Sequence, residues 1–190
     1  AIRSLGHDSP HHFLADSPRV RATPEFDSYA LAQIDRARMT TLQAVEAIGL
    51  AINRDMTFEP GSTQVNTPPE EAFARRRGVC QDFSHIMIGC LRAIGIPAGY
   101  VSGFLHTKPP EGKPRLEGAD AMHAWVRAWC GPRIGWIEYD PTNGVRSGDQ
   151  HIVVAYGRDY GDVAPVRGVV RISGAQKSSQ AVDVVPLQDA

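Results

Sequence analysis

The spacing of the apolar residues changes once along this chain, at Pro97, and that change limits the folds open to it. Before it, Leu42, Val45, Ile48, Ala51 and Ile52 recur at helical spacing behind Thr40-Thr41-Leu42-Gln43, which has the pattern of a capping box. Phe83, Ile86, Met87, Cys90, Leu91 and Ile94 form another such stripe, closed by Gly95 and Pro97. Between them, Thr67-Pro68-Pro69-Glu70 predicts a shorter helix with a threonine cap, running to Arg77 and stopping at Gly78. After Pro97 the pattern turns to alternation and short apolar runs, in Tyr100–Leu105, Met122–Trp129, Trp136–Tyr139, Ile152–Tyr156 and Val166–Ile172. Helices first and strands afterwards predict an α+β fold, with the helices packed on one side of a mostly antiparallel sheet.

Residues 1–27 carry His7, His11, His12, Pro10, Pro18 and Pro24 without apolar periodicity, which reads as an extended arm or a linker from an upstream domain. Position 1 is Ala, so it is not taken as a natural beginning. The stretch from His106 to Asp120, with three prolines and two glycines, is expected to be a long surface connection bordering a cleft. With 42% hydrophobic residues in 190, the chain has enough apolar material for one domain with a full core. Its 20 basic and 21 acidic residues exclude the basic balance of a nucleic-acid binder. No run of about 18 apolar residues is present to cross a membrane. Three cysteines cannot all pair, and no signal run opens the chain, so a reducing, cytoplasmic compartment is expected.

Cys80 falls at the first turn of a predicted helix. A nucleophilic cysteine acts as its thiolate, and an unperturbed thiol near pKa 8.5 is only slightly ionised at neutral pH. Free N–H groups and the positive dipole end of a helix N-terminus favour the anion and suit an oxyanion afterwards, and Gly78 lets the chain turn sharply before them. A thiol also needs a base. Of seven histidines only His123 lies inside a predicted strand, sharing a face with Trp125. Asp140 ends the next predicted strand, and adjacent antiparallel strands can set it beside His123 to orient the imidazole.

Three blocks carry these residues: Arg77-Gly78-Val79-Cys80-Gln81-Asp82-Phe83, His123-Ala124-Trp125-Val126, and Trp136-Ile137-Glu138-Tyr139-Asp140-Pro141-Thr142-Asn143-Gly144. In order and setting they resemble the transglutaminase-like superfamily, over roughly residues 20–165, including a Gly157-to-Pro165 segment similar to one common in bacterial members. The resemblance implies a papain-like core over residues 28–190 with Cys80 as nucleophile, His123 as general base and acid, and Asp140 as the orienting partner. It also implies cysteine-dependent acyl transfer on a peptide or isopeptide amide through a thioester, by hydrolysis or transamidation. The substrate is then a peptide or protein, and no metal or organic cofactor takes part. Gln81, Asp82 and Trp125 are the candidate supporting or substrate-binding residues. Relatives often carry an acidic residue where this chain has Arg127, so a different local surface charge is expected there.

Other readings of the same residues compete. A non-catalytic binding or scaffold module on this fold is the alternative, and the presence of all three of Cys80, His123 and Asp140 argues against it. A redox thiol is disfavoured by the lack of a C-x-x-C pair. A zinc site from Cys80, His85 and Cys90 fails on geometry, because steps of five residues turn about 140° each around a helix. Cys90 and Cys130 read as packing or surface residues, and Arg75-Arg76-Arg77 as a solvated helix end.

Overall fold

Three helices, α1 (Pro24–Ala32), α2 (Thr41–Asp55) and α3 (Pro69–Arg75), pack around a fourth, α4 (Cys80–Ala93), whose remaining side lies on an antiparallel sheet. The structure, a computed structural model, describes residues 6–106, 122–166, 168, 171, 173–175 and 181–185. The apolar stripe read from the sequence is only part of what α4 buries. Ser84, His85, Ile88, Gly89 and Arg92 on its other faces are also buried. At Gly89 a Cβ would stand 2.6 Å from a carbon of the Phe26 ring, so the missing side chain is what lets α1 approach α4.

Helices α1, α2 and α4 start where a nearby side chain supplies a partner for a free N–H group, whereas α3 opens on proline without one. In α2 the capping box forms as expected: Gln43 N donates to Thr40 Oγ1 at 3.3 Å and Thr40 N donates to Gln43 Oε1 at 2.9 Å. Helix α3 is shorter than expected. Pro68, not Thr67, is its cap, and it ends at Arg76, which takes a left-handed φ of 54°. The Arg76 guanidinium lies 3.8 Å over the Phe73 ring. Arg77 and Gly78 are therefore extended, as strand β2 (Arg77–Gly78), parallel to β1 (Thr57–Phe58).

The main sheet contains β3 (Ala98–Leu105), β4 (Met122–Trp129), β5 (Trp136–Asp140), β6 (Val145–Arg146) and β7 (His151–Gly157), in the order β6-β5-β4-β3-β7 and antiparallel throughout. Alternation divides β4 cleanly: Ala124, Val126 and Ala128 join the core, while His123, Trp125 and Arg127 occupy the other face. The strand expected over Val166–Ile172 does not form at the residues described there, Val166, Gly168 and Arg171; the rest of that stretch lies outside the described residues. The long connection expected after His106 also lies outside them. A single helical turn, α5 (Tyr160–Val163), follows β7, with Asp159 accepting from Gly161 N at 2.7 Å.

Residues 6–27, the described part of the segment expected to be an extended arm or linker, pack against the helices and sheet. Pro10–Phe13 make a 3-10 turn, Phe13, Ser17 and Val20 are buried, and α1 begins at Pro24 behind a Thr23 cap. Two buried arginines hold this segment to the domain. Arg92 donates to the carbonyls of Phe13 (3.1 Å), Ala98 (2.9 Å) and Arg158 (2.7 Å) and to Ser17 Oγ (3.0 Å). Arg127 pairs with Asp8 at 2.6 Å and lies among the rings of Phe13, Trp136 and Tyr156, so the expected change in surface charge is instead a buried packing contact.

Replacing Arg92 with methionine keeps the aliphatic stem and removes the guanidinium donors from the buried carbonyls of Phe13 and Ala98 and the part-buried one of Arg158. Arg92→Met should lose about 3 kcal/mol or more in urea denaturation. A variant as stable as the parent would show that these bonds do not hold the arm.

Candidate active site

Cys80 is the first residue of α4 and is half-buried. The chain before it is fixed by the helix itself. Asp82, in the first turn, folds back so that its Oδ2 accepts Val79 N–H at 2.8 Å and the Thr63 hydroxyl at 2.6 Å. Burial pushes the Asp82 carboxyl upward, and these two bonds act against that. Gly78 is needed for space and not for an unusual φ, since a Cβ there would stand 2.7 Å from Asp82. Gln81 Nε2 donates to Val65 O at 3.0 Å. Gln81 and Asp82 thus tie the loop around residues 63–65 to the start of the cysteine helix.

His123 and Asp140 meet through strand register. Val126 pairs with Tyr139, which brings Asp140 level with Trp125 and leaves His123 on the diagonal, just past the end of the ladder. His123 Nε2 donates to Asp140 Oδ2 at 2.7 Å. Cys80 acts on the same imidazole, and Nδ1 is the nitrogen that the Asp140 bond leaves free for it. Burial works against a charged His123, but Asp140 and Cys80 together outweigh it and raise the imidazole to about 9. Asp140 is fully buried, which by itself raises a carboxyl; the bonds from His123 and His151 reverse that and hold it well below the usual carboxylate range. The structure therefore brings together the three residues expected from sequence.

Sequence reasoning missed His151. The apolar pattern starts its strand at Ile152, and the available signal was a polar residue immediately before an apolar run. His151 Nε2 donates to the same Asp140 Oδ2 at 3.2 Å, while its Nδ1 accepts Gly148 N–H at 3.3 Å. Thr142 N, Asn143 N and Asn143 Nδ2 complete the donors around the carboxylate. Trp125 is fully buried under both imidazoles, stacked with His123 at 6.0 Å and edge-on to His151 at 5.1 Å, with its N–H on Glu138 Oε2 at 2.6 Å. It seats the two rings and offers no open wall to a substrate.

Ligand atoms of His123, Asp140 and His151 lie within 4.8 Å of one another, and these are metal-binding residue types. Hydrogen bonding accounts for their grouping: the carboxylate is already met by five donors, and both Nε2 atoms hold their protons against it. The set Cys80, His85 and Cys90 does not converge. His85 Nε2 accepts Tyr160 N–H at 3.2 Å, and burial lowers this imidazole to about 3. Burial also pushes the Cys90 thiol up, and that of Cys130 to about 11, so both are packing residues. The arginine run is paired at the surface, Arg75 with Glu71 and Arg77 with Glu59.

An imidazole held near 9 and titrating near 6.5 when unfolded binds its proton more tightly in the native state. The stability this contributes is complete below about 6.5 and disappears as pH rises through about 9. Urea unfolding across that window should show a fall in the parent and a much smaller one in Asp140→Asn, which lacks the counter-charge. Parallel curves would refute the coupling.

The model of the transglutaminase-like superfamily matches residues 29–141. An uncharacterized protein of Mycobacterium tuberculosis is 38% identical over 179 residues, which are 92% of this chain and 54% of that protein. The protein-glutamine gamma-glutamyltransferase of Pseudomonas aeruginosa is 32% identical over 127 residues, 66% of this chain and 18% of that one. The chain thus spans about half the length of its mycobacterial relatives. Among solved structures, a proposed cysteine protease from Cytophaga hutchinsonii superposes with a TM-score of 0.67 at 28% identity, covering 84% of this chain and 50% of that one. The periplasmic domain of TgpA from Pseudomonas aeruginosa does so at 0.52 and 25%, covering 75% and 51%. With a cysteine opening a helix, a strand histidine bonded to an aspartate, and a family match over more than half its length, this chain belongs to the transglutaminase-like superfamily.

Proposed function

We propose that this protein is a cysteine-dependent acyl-transfer enzyme acting on an amide of a peptide or protein, in a peptide or isopeptide linkage. Superfamily membership implies cysteine-based acyl transfer in general. The observation that carries the finer reading is the grouping of Cys80 with a His123–Asp140 hydrogen bond, buried at its carboxylate end and half-open at the thiol. In this reading the imidazole, raised to about 9, already holds the thiol's proton at Nδ1 near neutral pH, and the sulfur adds to the substrate carbonyl. The first N–H groups of α4, including those of Cys80 and Gln81, have no intrahelical partner and suit the resulting oxyanion. His123 then returns its proton to the departing amine, leaving a thioester on Cys80. Asp140 supports the imidazolium through Nε2 and fixes which nitrogen faces the sulfur.

Water or a second amine then releases the acyl group, giving hydrolysis or transamidation from the same site. His123 activates either acceptor in the same way, so the two outcomes share every residue named. A cytoplasmic site of action is part of the proposal and rests on the three unpaired cysteines. Among the described residues no helix is long and apolar enough to cross a membrane.

Incubation with a peptide library, with and without an added primary amine, followed by mass spectrometry, should reveal cleaved or amine-exchanged products. Cys80→Ala should reduce them by about 10⁴-fold or more. Iodoacetamide should alkylate Cys80 much faster than Cys90 or Cys130. No product from any peptide, together with equal alkylation rates, would leave a binding module on this fold.

A further inference from the structure

We infer that His151 is a positioning residue of this site, holding the Asp140 turn in place so that its carboxylate stays in line with His123. The inference rests on the acyl-transfer reading above. The donors to Asp140 divide into two kinds. Thr142 N, Asn143 N and Asn143 Nδ2 belong to the turn that Asp140 begins, so they fix the carboxylate within that turn and move with it. Among the described residues, His123 and His151 are the donors that reach it from other strands. During acyl transfer His123 changes its charge and its partners, while the hydrogen bonds of His151 are to Asp140 and Gly148. His151 is the fixed anchor of the pair.

The molecule is shaped to deliver this contact. His151 starts β7, which the sheet order separates from β5 by two strands, yet its ring reaches Asp140. The ladder between β3 and β7 slips by one residue after Ser102, leaving Val154 as a bulge that redirects the start of β7. At Gly103 a Cβ would stand 2.1 Å from Ile152 O and 2.5 Å from the Trp125 ring, so only glycine lets β7 and the indole close over β3 at that point. The ring then settles edge-on against Trp125, which also carries His123. Gly148 N–H occupies Nδ1, which leaves the proton on Nε2, where Asp140 accepts it. One indole seats both imidazoles, and one carboxylate oxygen receives both.

Two substitutions separate hydrogen bonding from packing. His151→Phe keeps a ring against Trp125 and removes the N–H; His151→Gln keeps an N–H donor near the Nε2 position and removes the ring. The readout is the rate of Cys80 alkylation by iodoacetamide, followed by mass spectrometry beside the thermal midpoint, and it requires no known substrate. His151→Phe should slow alkylation by about tenfold or more while the protein stays folded with its midpoint lowered by no more than about 8 °C, whereas His151→Gln stays within about threefold of the parent. A phenylalanine variant as reactive as the parent overturns the inference. So does a glutamine variant as slow as the phenylalanine one, which would assign the effect to packing. A parental rate that chelation alters, with no such effect in His151→Phe, would make His151 a metal ligand and also overturn it. If instead the parent's Cys80 reacts no faster than Cys90, or His123→Ala leaves the rate unchanged, the acyl-transfer reading itself fails before His151 is at issue.

Discussion

Helix α4 is enclosed from Gln81 to Arg92, so its charged and amide side chains and its imidazole find partners within the protein, Ser84 Oγ being the exception, and the surrounding elements are arranged by that demand. Asp82 is met by Val79 and Thr63, His85 by the N–H of Tyr160, and Arg92 by carbonyls from the N-terminal segment, β3 and the turn after β7. These bonds draw distant parts of the chain to one helix. Because Cys80 opens that helix, the same contacts that satisfy it also hold the sulfur in place. Mobility in the helix start would cost hydrogen bonds at Asp82 and Gln81 together.

A second buried charge sets the other half of the site. Asp140 has no solvent exposure, and a carboxylate in that position persists only when donors converge on it. Its own turn supplies three, which a short sequence can provide without help. The other two come from β4 and β7, and their arrival depends on sheet register, a bulge and a glycine. Trp125 makes the arrangement one unit, because both imidazoles rest on its ring and its N–H is fixed by Glu138. The resulting geometry is rigid beneath the carboxylate and open only at the thiol.

Much of this was legible from local pattern. The caps of α2, the stripe on α4, the strand alternation around His123 and the position of Asp140 at a strand end all depend on neighbours close in sequence. The packing of residues 6–27 is not legible from periodicity, because Phe13, Val20 and Phe26 each fill a gap against distant elements. A cap signature was nonetheless present at Thr23-Pro24, of the same kind that marked α3. Arg127 gave no sign of burial, since its partners, Asp8, Phe13, Trp136 and Tyr156, lie in three other parts of the chain.

By itself the sequence determined the helices-then-strands order, the three blocks bearing Cys80, His123 and Asp140, and the membership these imply, because periodicity, capping and motif spacing are local properties. Only the tertiary structure decided that the N-terminal segment is part of the domain, that Arg92 and Arg127 are buried, and that a second histidine shares the carboxylate. Each of those depends on contacts between residues far apart in the chain. His151 and Asp140 are eleven positions apart but three strands distant in the sheet, and their meeting follows from a one-residue slip that no local pattern announces.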